Sequence, residues 1–150
     1  MRDLIEAATA TLKSIPNDLI SYLARIGVGT TFFRSGMLKV EGWADGNTLT
    51  LFREEYRLPV IPPEAAAYLA TAAELTLPVL LFAGLATRFA ALALLIMTLV
   101  IEIFVYPNAF DTHAVWAVSL LFLMKYGAGA VSLDQLIESR WLGVRAPRQP

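Results

Sequence analysis

The sequence predicts an all-α membrane protein: a four-helix antiparallel transmembrane bundle with a short surface helix in its first outer loop and amphipathic helices at both termini. Two observations lead to this prediction. Of the 150 residues, 57% are hydrophobic and 17% are charged, and the mean hydropathy is +0.58. One core of this size cannot hide so much apolar surface from water. In addition, four apolar stretches approach the ~20 residues that a helix needs to cross a bilayer.

The composition also excludes several functional classes. Disordered chains combine low hydrophobicity with high charge, which is the opposite of this sequence. The formal net charge of −1 gives no electrostatic basis for binding nucleic acid. The chain has no cysteine and one histidine, which excludes disulfides, iron–sulfur clusters and cysteine-ligated zinc, and we predict no metal site. The length is that of one domain, residues 1–150.

The four predicted spans are bounded by turn signals. They cover roughly residues 19–40, 65–86, 89–106 and 112–130. All four are expected to be helices, because strand edges in lipid would leave backbone groups without partners. The boundary signals are the pair Pro62-Pro63, the tight turn at Thr87-Arg88 and the break at Pro107-Asn108.

Three further segments are amphipathic and are predicted as helices outside the membrane core. Residues 2–15 carry apolar side chains at helical spacing, and they form either a membrane-surface helix or an ordinary cytosolic lead-in helix. Residues 50–56 in the first loop form either an outer lid or a simple interfacial anchor. Residues 132–142 also have one apolar side.

The distribution of positive charge sets the predicted orientation. With four spans, both termini lie on the same side as Arg88. The opposite loop, residues 41–64, holds two arginines and five acidic residues. We therefore expect a multi-pass protein of the bacterial or archaeal cell (inner) membrane with both termini in the cytoplasm. The cations on the side of the termini are Arg2, Lys13, Arg88, Arg140, Arg145 and Arg148.

Ionisable residues inside the spans are the first candidates for a functional site, because charge in lipid is costly. At 1.5 Å per residue, one such residue on each span lies about 18–25 Å from the cytoplasmic end of its helix. Lys39 lies just above them. We expect this set to converge in a polar pocket in the outer half of the bundle. Its members are Arg34, Glu74, Glu102 and His113.

Two interpretations of this set stay open. In the first, the pocket binds a quinone-type head group, which hydrogen-bonding cations and acid–base groups would hold between aromatic walls. The candidate catalytic residues are then Glu74, Glu102 and His113, and the candidate ligand-binding residues are Arg34, Lys39, Tyr106 and Trp116. In the second, the same charges form a buried network that fixes helix packing.

Two cations lie nearer the cytoplasmic face. Arg25 and Lys125 are about 8–9 Å from it, and their long side chains are expected to extend to the lipid head groups. The alternative for Arg25 is a place in the bundle interior, bonded to backbone carbonyls.

Several short motifs, taken in order, resemble the DoxX family of small four-helix bacterial and archaeal membrane proteins. The resemblance covers roughly residues 24–136, nearly all of the predicted membrane part. Each motif is weak alone and specific in combination. The motifs are Arg25-Ile26-Gly27, Phe32-Phe33 with Ser35-Gly36 and Lys39, Leu58-Pro59 with Pro62-Pro63, Glu74, Gly84-Leu85-Ala86-Thr87-Arg88, and Gly127-Ala128-Gly129 with Ser132-Leu133-Asp134.

The resemblance implies a quinone-linked redox role, as a subunit of a quinone oxidoreductase or as a membrane partner of oxidative-stress or thiol-handling enzymes. It also implies recurring polar positions. The absence of cysteine argues against an intrinsic thiol role, so any electron carrier would be a quinone or a partner subunit. The positions carried over are Arg25, Lys39, Glu74 and Arg88, with Ser132 and Asp134 as a closing structural motif.

Three hypotheses for function follow. The first is an integral component of a quinone-linked redox or stress-response system, an oxidoreductase subunit with no redox centre and no covalent cofactor of its own. Its partners would be the lipid bilayer, a quinone and a soluble or membrane redox protein, and a homo-oligomer is open. The second is a non-catalytic scaffold that anchors a soluble partner, and the third is a small-solute or proton transporter.

Overall fold

In the computed structural model of the protein, residues 1–141 are described, and they form seven helices with no strand among them. The predicted spans correspond to the second, fourth, fifth and sixth helices, whose ends agree within about four residues. The three amphipathic segments are also helical, although Leu142, Arg145 and Arg148 lie outside the described residues. The helices are α1 (Arg2–Lys13), α2 (Asn17–Glu41), α3 (Asn47–Glu54), α4 (Pro63–Ala83), α5 (Thr87–Phe104), α6 (Phe110–Tyr126) and α7 (Leu133–Trp141).

The four long helices pack side by side in a ring. Helix α2 packs on α4 and α6, and α5 packs on the same two helices. Gly36 of α2 lies against Glu74 of α4, whereas Gly29, two turns earlier, lies against Phe82, two turns later. These contacts show that α2 and α4 run antiparallel. The short connections at 84–86 and 105–109 reverse the chain twice more, so the bundle runs up and down as predicted.

The two ends of the bundle differ in how they are covered. At one end, α3 packs on α4 and buries Phe52, which is 1% exposed, against Ala66 and Ala67. We call this the α3 end. The opposite end holds the start of α2, the α4–α5 turn and α7, and we call it the terminal end. Helix α3 begins three residues before the predicted helix and ends at Glu54.

The bundle buries polar side chains and exposes apolar ones. Arg25, Glu74 and His113 are buried, whereas the outward faces of α5 and α6 present residues such as Ile96 and Val118. A water-soluble bundle shows the reverse arrangement. By length and hydropathy, two of the described helices, α4 and α5, are each sufficient to cross a membrane.

Candidate functional site

A buried ion pair joins α2 and α4 near the α3 end. Lys39 Nζ lies 2.7 Å from Glu74 Oε2 and donates to Oε1 at 2.9 Å, and the two side chains are 6% and 3% exposed. The hydroxyl of Ser35, one turn before Lys39, accepts from Nζ at 3.0 Å and donates to Glu74 at 3.3 Å. The carboxylate is therefore held by two donors from one helix face.

Local backbone features place this pair. Gly36 lets α2 approach α4 closely, because a Cβ there would stand 3.0 Å from the Glu74 Cβ. Pro78 lies one turn after Glu74 inside α4. Proline has no backbone N–H, so the Glu74 carbonyl lacks the usual helical donor. The hydroxyl of Thr48 donates to the Lys39 carbonyl at 2.6 Å and ties the start of α3 to the end of α2.

A second acid–base pair joins α5 and α6 at the same end. His113 Nδ1 and Glu102 Oε2 lie 2.5 Å apart, with His113 buried and Glu102 mostly so. The imidazole also packs at 5.0 Å, centroid to centroid, on Trp116, which in turn makes an edge contact with Phe32. The carboxylate orients one ring nitrogen, so the other nitrogen is available to a ligand.

Both pairs border one cavity of about 80 Å³ in the bundle interior. Glu74 and His113 line it from two different helices, with Lys39 behind the first and Glu102 behind the second. A cavity of this size holds a few water molecules and lies below the ~300 Å³ of ligand pockets. The remaining lining residues are Thr31, Phe32, Ser35, Tyr56, Ile101, Tyr106 and Trp116.

Two tyrosines, Tyr56 and Tyr106, form the wall of this cavity that faces the surface of the α3 end. The rings of Tyr56 and Tyr106 meet edge to face with centroids 5.7 Å apart, and both line the cavity. Tyr106 is 40% exposed and its hydroxyl donates to Glu55 Oε2 at 2.9 Å. Burial raises the pKa of the Tyr56 hydroxyl well above its usual range, and Tyr106 beside it adds to the shift. Tyr56 is therefore a neutral hydroxyl at physiological pH.

The structure corrects one member of the predicted convergence. Glu74, His113, Tyr106 and Trp116 line the cavity as a group, but Arg34 does not join them. It lies on the exposed face of α2 and forms no ion pair within residues 1–141. The cation that pairs with Glu74 is Lys39, which was predicted to lie just above this set.

Five cavity-lining residues were not among the predicted site residues: Thr31, Phe32, Ser35, Tyr56 and Ile101. Two of these lie beside the Lys39–Glu74 pair, Ser35 and Tyr56. Ser35 belongs to the Ser35-Gly36 motif, and it is four positions before Lys39 and so shares its face of α2. Tyr56 is the last residue of the predicted surface helix, residues 50–56. It follows the end of α3, where the chain turns back and directs the ring into the cavity. The i, i+4 spacing was a usable signal for Ser35, whereas no local pattern marked Tyr56.

At the terminal end, the expected position of Arg25 is wrong. Arg25 is 1% exposed, and its Nη2 donates to the carbonyl of Val131 at 2.8 Å instead of extending to the surface. Space for the guanidinium comes from Gly84, since a Cβ there would overlap Arg25 Nη1. The alternative interpretation, an interior arginine bonded to a backbone carbonyl, is the observed one. Lys125 is exposed as expected.

The α4–α5 turn is held by Asp134. Asp134 accepts from the backbone N–H groups of Ala86 at 2.7 Å and Thr87 at 3.0 Å, and thereby caps α5. Its own N–H donates to the Gly84 carbonyl. Ser132 accepts from the backbone N–H of Gln135 and so caps α7, as its predicted structural role requires. Arg88 is exposed beside this turn.

Within residues 1–141, no three His, Cys, Asp or Glu side chains are placed to hold a metal ion.

Comparison with known proteins identifies relatives of the chain. The DoxX family model matches residues 20–107, which is more than half of the sequence. An uncharacterised protein of Haemophilus influenzae is 29% identical over an alignment of 137 positions that covers 85% of this chain and 89% of that protein. No solved structure matches the chain.

Proposed function

This chain belongs to the DoxX family of membrane proteins, and we propose that its α3-end cavity binds the head group of a quinone-type lipid and exchanges protons with it. The chain would be a four-span component of a quinone-linked redox or stress-response system. Electrons would pass between the quinone and a redox partner protein, because this chain's part is to bind the ring and move protons.

Four spans are favoured by the packing of the two helices that are less apolar. Two of the charged residues that lower the hydropathy of helix α2, Arg25 and Lys39, are buried inside the bundle and are not exposed to lipid. Helix α6 has 17 residues, about 26 Å at 1.5 Å per residue, which is close to the thickness of the hydrocarbon core. The Arg34 side chain can extend from the outer part of α2 to the head groups.

The orientation of the bundle follows from its charges. Lys13, Arg88 and Arg140 all lie at the terminal end or on the helices that adjoin it. The positive-inside rule then puts this end, with both termini, in the cytoplasm of a bacterial or archaeal cell. The α3 end and its cavity would open towards the outer face.

The observation that carries the proposal is the placement of Glu74 and His113 on one aromatic-walled cavity. Each is bonded from behind, Glu74 by Lys39 and His113 by Glu102. A quinone takes up two protons when it gains two electrons, one at each ring oxygen, and a quinol releases them again. Two buried acid–base groups on facing walls match that demand, and neither is needed for an apolar core to pack.

The closed cavity is smaller than a quinone ring requires, so binding would displace the tyrosine cover. Tyr106 is the mobile candidate, because it is partly exposed and is held by one bond to Glu55 on the surface. Because the acceptor is a carboxylate, removing that bond costs about 1.5–3 kcal/mol. Tyr56 lies deeper, with the Lys39 ammonium 5.9 Å from the centre of its ring.

A fluorescence titration in nanodiscs tests this proposal. Trp116 lines the cavity, so a quinone bound there quenches its emission. Substituting Trp43→Phe and Trp141→Phe leaves Trp116 as the single reporter. We expect saturable quenching by a short-chain quinone, weakened at least tenfold by Glu74→Gln and by His113→Gln. Co-purifying quinone, extracted with lipid and identified by mass, should fall in parallel.

Arg34→Gln is the matched control, because Arg34 is a charged residue on the same helix as Lys39 but on its exposed face. It should bind quinone as the wild type does. Unchanged quenching in Glu74→Gln, or an equal loss in Arg34→Gln, would contradict the proposal. Complete absence of quinone would leave the non-catalytic scaffold as the better hypothesis, with the charged pairs acting in packing.

A further inference from the structure

A second, larger cavity lies at the terminal end, far from the candidate site. It has a volume of about 920 Å³ and lies between the α1–α2 connection, the α4–α5 turn and the chain around the start of α7. This volume is within the range of ligand pockets, about 300–1,000 Å³. The part of the lining used below consists of Lys13, Ile15, Thr87, Arg88, Phe89 and Glu138.

The walls of this cavity are held by two acids that accept hydrogen bonds from backbone N–H groups. Asp18 accepts from the backbone N–H of Ala130 at 3.0 Å, and Asp134 caps α5 with both oxygens. Arg25 is also near enough to Asp134 for electrostatic attraction. The framework is therefore rigid before any ligand binds, which lowers the cost of ordering a bound molecule.

Several polar groups in the lining have no partner within residues 1–141. Neither Lys13 nor Arg88 has a hydrogen bond or ion pair there, and Glu138 has none either. The hydroxyl of Thr87 is fully buried and is likewise unpaired in that part of the chain. A buried polar group of this kind calls for a bound water or ligand.

The same cavity has apolar side chains at its rim. Phe89 and Ile15 line it and are largely exposed. Two helices with exposed apolar residues flank it, with Leu12 on α1 and Leu136 on α7 among them. Charged groups next to exposed apolar rings are typical of the level of the lipid head groups. The occupant must therefore offer both a charged head and an apolar tail.

The charges narrow the choice of head group. The positive charge of Arg25 offsets the negative charge of Asp134. The other charged residues of the lining are two cations, Lys13 and Arg88, and two acids, Asp18 and Glu138. A lining without net charge suits a zwitterionic head group better than an anionic one. We propose that this cavity binds one phospholipid with a phosphoethanolamine head group from the adjoining leaflet. Arg88 and Lys13 would hold the phosphate, Glu138 the ammonium, and Phe89 the start of an acyl chain.

Native mass spectrometry of the full-length protein tests this site. Delipidated protein is offered an equal mixture of phosphatidylethanolamine, phosphatidylglycerol and phosphatidylcholine of matched chain length. We expect one phosphatidylethanolamine to be retained per chain, with retention at least fivefold lower in Arg88→Gln and Lys13→Gln. Glu138→Gln should shift the preference towards phosphatidylglycerol, because it removes the partner of the ammonium group.

Arg2→Gln is the matched control, since Arg2 is an exposed cation of α1 that pairs with Glu6 and does not line the cavity. Equal losses in Arg2→Gln and Lys13→Gln, or retention without preference among the lipids, would overturn the proposal. Free phosphoethanolamine is added as a competitor. If it displaces the lipid at equal concentration, the cavity takes a soluble phosphate ester and the lipid proposal fails. Lys13→Gln changes an exposed side chain, so its effect cannot be attributed to misfolding.

The lipid proposal and the quinone proposal fail independently. Lys13, Arg88 and Glu138 contact no residue of the α3-end cavity, and their variants should leave quinone quenching of Trp116 unchanged.

Discussion

The two ends of the bundle use buried charge in opposite ways. At the α3 end, side chains pair with side chains, as Lys39 does with Glu74, and the pairs face a cavity. At the terminal end, Arg25 and Asp134 bind backbone groups and hold the turns in place. Asp134 uses both carboxylate oxygens on backbone N–H groups, so it fixes the geometry of the turn and has little capacity left for a ligand. A charge pair beside a cavity can exchange its partner for a ligand, so the α3 end is the better place for chemistry.

This contrast predicts that the terminal end dominates stability. The largest effect is expected for Gly84→Ala, because a Cβ there would overlap the Arg25 guanidinium and approach Ser132 to 2.5 Å. Gly84 also has a φ of +64°, where a side chain is strained. Overpacking and strain together should cost about 3 kcal/mol. The apparent Tm in detergent should fall by many degrees.

Gly46→Ala separates the two contributions to that loss. Gly46 has a φ of +75°, but a Cβ there would meet nothing within 4 Å. It should therefore lose only about 1 kcal/mol from backbone strain. Equal losses in the two variants would show that the close packing of Arg25 on the turn contributes nothing.

At the α3 end, the corresponding test is Gly36→Ala. The added Cβ would stand 3.0–3.1 Å from atoms of Glu74 and Leu75, so α2 and α4 must separate. We expect a loss of about 2 kcal/mol together with weaker quinone quenching of Trp116, because Glu74 moves. Gly27→Ala on the same helix is the control. It meets nothing within 4 Å and should be neutral or stabilising by up to about 1 kcal/mol.

A smaller effect is expected for Asp134→Ala. This change removes the cap of α5 and leaves the N–H groups of Ala86 and Thr87 without an acceptor. The expected cost is about 1–2 kcal/mol, seen as a lower apparent Tm, with quinone binding retained. Asp3→Ala on the exposed helix α1 is a matched loss of one acid and should change the Tm little. If Asp134→Ala abolished quinone binding while the Tm held, the division between the two ends would be wrong.

Comparison of the sequence with the structure shows which features of the site could be predicted and which could not. Spacing along each helix gave the depth of Glu74, Glu102 and His113, and all three lie at one site. Depth does not give rotation about the helix axis. Arg34 and Lys39 are five residues apart, which is about 140° around a helix. Only one of the two side chains can face the bundle interior, and the hydrophobicity of the helix does not identify which one does.

The sequence nevertheless contains a pattern that predicts which face of α2 points into the bundle. Arg25, Phe32 and Lys39 recur every seven residues, with the small residues Gly29 and Gly36 beside them. A repeat of seven keeps side chains on one face of a helix, so Arg25 and Lys39 belong together inside. The prediction for Arg25 used only its distance from the helix end and did not use this seven-residue repeat. The space that receives it is made by Gly84, 59 positions later, which no local pattern reveals.

Tyr56→Phe is expected to have the smallest effect on stability at neutral pH. It is also the sharpest test of whether Tyr56 and Tyr106 cover the α3-end cavity. Because burial raises the pKa of Tyr56 in the folded protein, the unfolded chain loses this proton first, near pH 10. The contribution of Tyr56 to stability is thus complete below pH 10 and is lost as the pH rises towards the folded pKa. The wild type should lose apparent Tm more steeply than Tyr56→Phe between pH 10 and 11, although the two should run parallel from pH 7 to 9. The other titrating groups are common to both proteins, and of these Tyr106, whose ring contacts Tyr56, is the one that the substitution also affects. Parallel curves throughout would mean that water reaches the Tyr56 hydroxyl freely, and the α3-end cavity would then be open without any movement of its cover.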